Sequence, residues 1–124
     1  MTYSDIVMEH FYNPRNARRM ENPDAIGKAG EPGRGPFMLL YLRFDREKIV
    51  DASFQSYGCG PAIAAGSILT EKIAGLARSQ ASLWDSAAID AALGYLPNEK
   101  KHCAALAASA LADALTKKES IRAS

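Results

Sequence analysis

The chain holds few residues able to do chemistry: two cysteines and two histidines among 124 residues. Cys59 stands in Gly58-Cys59-Gly60-Pro61, between glycines that leave the backbone free to approach a ligand closely. Pro61 suits the first position of a helix, with Gly60 as an acceptable cap. A thiol just ahead of a helix start is favoured as the thiolate, the form that binds metal and attacks sulfur. Cys103 falls in the first turns of the last predicted helix, near a second positive dipole end and directly after His102. Adjacent helical residues point about 100° apart, so His102 and Cys103 make a poor nucleophile–base pair. They can still present two ligands to one site above the helix end. Each residue also has a plainer reading. Both cysteines can be small core hydrophobes, Cys103 lies on an apolar stripe, and His102 can be a solvated or capping histidine. His10, on the apolar face of the first helix, reads as a packing residue without a role.

The elements that must carry these residues follow from periodicity and punctuation. Tyr3, Ile6, Val7, His10 and Phe11 are spaced as one face of a helix, weakly capped by Thr2 and stopped by Asn13-Pro14. Arg15 to Pro36 shows no period, and a connection that long is more often functional than filler. Phe37–Phe44 reads as a strand covered on both faces. Ile49–Tyr57 alternates, with Val50, Ala52 and Phe54 on one side, so the two runs form an antiparallel hairpin across Asp45-Arg46-Glu47-Lys48. A helix follows from Pro61 to about Ala77, with Ala64, Ala65 and Gly66 permitting close packing. Short helical pieces lie around Leu83, Trp84, Ile89 and Leu93. The last helix is capped by Asn98 and buries Cys103, Leu106, Ala107, Ala110, Leu111 and Ala114. Strands followed by helices indicate an α+β domain with helices on one face of an antiparallel sheet. Residues 1–124 form a single domain on this reading, with a frayed tail from 117 to 124.

Composition narrows the function classes. A formal charge of +1 argues against broad attraction to nucleic acid or to an anionic membrane. No apolar run reaches the roughly 18 residues of a membrane span, and the N-terminus shows no basic segment followed by an apolar stretch. The expectation is a cytoplasmic protein whose cysteines are metal-binding, reactive or buried rather than disulfide-bonded.

Several segments, in one register, resemble the IscU/NifU family of iron–sulfur cluster assembly scaffolds. They are Tyr3–Asn16, Met20–Lys28, Ile49–Ala52, Tyr57–Ala64 and Leu96–Cys103. The resemblance implies an IscU/SufE-like fold, a small three-stranded antiparallel sheet with helices packed against it, the third strand falling around Gly27–Pro32. It also implies a non-catalytic scaffold or carrier that builds a transient cluster, commonly [2Fe–2S]. Iron and sulfur would come with a cysteine desulfurase, and cluster-acceptor proteins would take the product. Carried over by motif, Cys59 and Cys103 match the family's second and third cysteines, and His102 its histidine. The Leu96-Pro97-Asn98-Glu99-Lys100 segment resembles the family's partner-binding element, through Leu96, Pro97 and Lys100, but lacks its second proline.

The family's first cysteine motif, Pro-x-Cys-Gly-Asp, stands here as Pro32-Gly33-Arg34-Gly35-Pro36. Arg34 replaces the cysteine and Pro36 the aspartate. A guanidinium offers no lone pair to a metal and stays charged, but it can pair with thiolates in the vacated place. Cys59, Cys103 and His102 then remain as three ligands where a [2Fe–2S] cluster takes four. Iron or a labile cluster bound weakly is the expectation, and zinc with a water in the fourth position suits the same three. A cluster-bridged dimer or another homo-oligomer, a small thiol or a partner protein can supply what is missing. Two alternatives stay open: a SufE-like persulfide acceptor, and a cluster-free regulator of a desulfurase.

Overall fold

The computed structural model of the chain describes residues 2–123, with side chains as far as Thr116. Helix α1 spans Asp5–Tyr12, strands β1, β2 and β3 span Ala25–Gly30, Phe37–Asp45 and Lys48–Tyr57, and helix α2 spans Gly60–Ile73. Short helices α3 (Arg78–Ala81) and α4 (Ser86–Ala92) lead through a 3-10 turn, Asn98–Lys100, into α5, His102–Ala123. The strands form one antiparallel sheet in the order β1-β2-β3. Helices α2 and α5 pack on the same face of it, so the α+β class holds. The backbone of α5 continues to Ala123 where a frayed tail was expected. The side chains of 117–123 and all of Ser124 lie outside the described residues.

The cap of α1 is Ser4 rather than Thr2. The Ser4 hydroxyl accepts from the Val7 amide at 3.1 Å and donates to the Leu93 carbonyl, fastening α1 to the end of α4. Asn13 closes the helix as the sequence suggested. His10 is buried, its Nδ1 lying 2.7 Å from the Ser67 hydroxyl, which also accepts from the Arg15 amide at 2.9 Å. Burial, and Arg15 next, push the pKa of His10 below its usual value. α1 is thereby stitched to α2 by polar contacts as well as by packing.

β1 is a strand without an apolar period. Its inward residues are Ala25, Gly27 and Ala29, while the one large apolar residue, Ile26, faces out. Those small residues have a purpose. A Cβ at Gly27 would lie 1.9 Å from the Ala110 carbonyl oxygen, so glycine lets the alanine face of α5 close onto the sheet. Gly66 does the same for α2, where a Cβ would come within 2.5 Å of the Phe54 ring.

In the hairpin Asp45 pairs with Lys48, leaving a two-residue turn in which Arg46 takes φ +57°. The expectation that Val50 shares a side with Ala52 and Phe54 is wrong. Phe44 pairs with Ile49 and Arg43 with Asp51, so Val50 is an extra residue in a bulge. The bulge reverses the alternation: Ile49 is buried and Val50 exposed, and Ala52 and Phe54 resume the core face.

Candidate metal and cluster site

Two helix starts meet at the thiols. Cys59 is itself the cap of α2, with Gly60 and Pro61 as the first two helical residues, one position earlier than the sequence suggested. Its carbonyl accepts from the Ala62 and Ile63 amides, while its side chain makes no capping bond and is left to face the site. The Phe11 ring packs on Gly60, where a Cβ would be 2.8 Å from it, so α1 braces this helix start.

α5 begins at His102, not near Asn98. Asn98 instead opens the separate 3-10 turn behind Pro97. That turn is held by a residue the sequence did not mark. The Asp90 carboxylate accepts from the Leu96 amide at 2.8 Å and from Lys101 Nζ at 2.7 Å. Burial opposes its ionisation, but the Lys101 and Leu96 bonds outweigh burial and hold its carboxyl below the usual range. Ahead of that turn, just past the end of α4, Tyr95 takes φ +69°, a conformation costly for a bulky side chain. An acidic residue on a short helix carries no local signal for either role.

With both helix starts fixed, Cys59 Sγ lies 3.5 Å from Cys103 Sγ, and His102 Nε2 lies 3.6 Å from Cys103 Sγ. The ligand atoms of Cys59, His102 and Cys103 all lie within 4.8 Å of one another. Neighbours on a helix though they are, His102 and Cys103 turn their ligand atoms to one point at the first turn of α5. Cys103 is fully buried, Cys59 half-buried and His102 exposed, so the group opens to solvent on one side. The Cys103 thiol is not a ready thiolate. Burial, then the hydrogen bond and charge of Cys59, push its pKa up to about 12, with Lys100 pulling the other way. Desolvation overrides the helix dipole here, and a metal entering the site must displace that proton.

Two soft sulfurs and an imidazole suit iron or zinc. Their spacing fits one tetrahedral ion, around which thiolates at about 2.3 Å stand about 3.8 Å apart. Three donors leave one position open.

Arg34 does not fill it. Its side chain is 81% exposed and pairs with Glu31 at 3.6 Å rather than with either thiol. Pro36, from the same loop, does border the site, lining a shallow hollow with Ala29, Gly30, His102, Ala105 and Leu106. Of the three residues expected to meet partners, Leu96 is buried in the core and supports the turn from below. Pro97 and Lys100 are half-exposed beside the site.

Comparisons with known proteins identify the family. The model of the NifU-like N-terminal domain matches residues 2–123. The IscU 1 iron–sulfur cluster assembly scaffold protein of Archaeoglobus fulgidus is 42% identical over 91% of this chain and 74% of its own. The IscU of Escherichia coli strain K12 is 37% identical over 98% of each chain. Among solved structures, a Fervidobacterium islandicum AW-1 protein described as an iron–sulfur cluster assembly scaffold for the SUF system covers 91% of this chain and 96% of its own. Its TM-score is 0.72 at 23% identity, which speaks for the fold. With the family model covering nearly the whole chain, the chain belongs to the NifU-like N-terminal domain family.

Proposed function

We propose that this protein is an iron–sulfur cluster assembly scaffold whose own ligand set for iron or a labile [2Fe–2S] cargo is incomplete. The observation that carries the reading is the convergence of Cys59, Cys103 and His102, with ligand atoms within 4.8 Å and one side open. The relatives named as scaffolds support it. Iron or cluster is the cargo, held through two thiols and an imidazole, and the open side is where a further ligand or an acceptor enters. A cysteine desulfurase is the natural sulfur source, and acceptor proteins the destination. Zinc occupies the same three donors when iron is absent. The protein acts as a carrier rather than a catalyst. Among the described residues no helix is long and apolar enough to cross a membrane.

The test is anaerobic incubation of the reduced protein with ferrous iron, cysteine and a desulfurase. The visible spectrum and the mass of each cysteine peptide are then recorded. Cluster absorption lost on Cys59→Ser is the expected result. A persulfide on either cysteine without colour would sink the scaffold reading in favour of a sulfur acceptor. The double variant Arg34→Cys with Pro36→Asp should hold cluster longer against a chelator. If it holds no more than the parent, the missing loop ligands are not what limits binding.

A further inference from the structure

Cys59 and Cys103 stand 44 residues apart in the chain, yet their sulfurs lie in contact at 3.5 Å. Both are free thiols. The two sulfurs, at 3.5 Å, need to close by only about 1.5 Å to reach the roughly 2.05 Å of a disulfide. The movement falls to Cys59. Cys103 is held within α5 and fully buried, whereas Cys59 precedes α2 and its side chain has no capping bond to break. Burial also sets the order of attack. An external disulfide can reach the half-buried Cys59, and can reach Cys103 only through it. The pair is thus an attacking thiol in front with a resolving thiol behind. The 124 residues hold no third cysteine to divert the exchange.

Resting on the scaffold reading, we infer that Cys59 and Cys103 close into a reversible disulfide, so that the site takes up its metal cargo only while the pair is reduced. The bond is a passing state, in keeping with the free thiols of the structure, and not a structural staple. Cargo and disulfide exclude each other, because the metal ligand is the thiolate and the disulfide consumes both. Of the three converging donors, His102 alone then remains.

The chemistry balances with a small disulfide as oxidant, for which glutathione disulfide serves. The Cys59 sulfur bonds to one glutathione sulfur, and the other glutathione leaves with the Cys59 proton. The Cys103 sulfur then attacks that of Cys59, and the second glutathione leaves with the Cys103 proton. The protein gives up two electrons and two protons, and the oxidant gains both as two thiols.

The test equilibrates the reduced, metal-free full-length protein with glutathione and glutathione disulfide in rising oxidised proportion. Free thiols are alkylated and the masses read, and zinc uptake is measured at each point. The parent should pass from two alkylated thiols to none with no glutathione retained. The midpoint should not move when the protein is diluted tenfold, as befits a bond within one chain. Zinc uptake should fall in step and return with dithiothreitol. Cys103→Ser, checked for fold by circular dichroism, should stop with one glutathione on Cys59. Glutathione retained on the parent, or a disulfide joining two chains, overturns the inference. So do thiols that stay alkylatable across the whole range, and zinc uptake that survives the loss of both thiols. Each of these leaves the scaffold reading standing. Reduced protein that takes up neither zinc nor ferrous iron overturns both.

Discussion

The two sides of the thiol site are built by opposite rules. On one side stand the starts of α2 and α5, braced by helices that approach the sheet and one another as closely as atoms allow. On the other runs the loop from Glu31 to Pro36. There a side-chain carbon added at Gly33 or Gly35 would meet nothing within 4 Å, against 1.9 Å to backbone at Gly27. The positions that fix Cys59, His102 and Cys103 are thus the positions the fold can least afford to alter. The position that would bring a third thiolate lies where the fold scarcely registers a change. Arg34 could replace a ligand without disturbing the other two because it stands on the permissive side.

The largest way to break this contrast is Gly27→Ala. The added methyl overlaps the Ala110 carbonyl, so α5 must lift from β1 along its alanine face. Overpacking of this kind costs about 3 kcal/mol, which a urea titration would show as a lower midpoint with an unchanged slope. Gly35→Ala, strained by φ +106° but unobstructed, should cost about 1 kcal/mol. Equal losses for the two would mean that the close seam between α5 and β1 is not what holds the site.

Much of this division was readable before the structure, and the exceptions share a cause. Helices and the β2–β3 hairpin announce themselves because large apolar residues mark their buried faces. β1 does not, since close approach of α5 requires Ala25, Gly27 and Ala29 on the inside and leaves Ile26 outside. The bulge at Val50 leaves the composition of β3 untouched while reversing its faces. The site residues were legible singly, as thiols near helix starts. That their ligand atoms converge depends on the 3-10 turn and on Asp90, whose bonds to Leu96 and Lys101 are tertiary and leave no periodic trace.

A smaller effect sharpens the packed side through pH. His10 is buried between α1 and α2 with its pKa lowered, chiefly by desolvation. A group depressed in the folded state contributes its full stability above the unfolded value of about 6.5. That contribution is lost as pH falls through the folded pKa, because the imidazolium is accommodated more readily in the unfolded chain. Stability of the parent protein should therefore decline between pH 7 and pH 5. His10→Gln should begin less stable at pH 7 and lose less across the interval. Parallel declines in the two proteins would place the pH dependence elsewhere.

The smallest expected effect is that of Arg34→Ala, and its smallness is the informative part. The guanidinium and the Glu31 carboxylate are both largely exposed at 3.6 Å, an arrangement screened by water and worth little. Removing it should change unfolding free energy by no more than about 0.5 kcal/mol. It should also leave the alkylation rate of Cys59 unchanged, because the charge is engaged with Glu31 rather than with the thiols. A clear slowing of alkylation in the variant would show that Arg34 reaches in and favours the thiolate. The loop would then be part of the site in the reduced protein, and the contrast between a fixed side and a permissive one would fail at the residue that defines it.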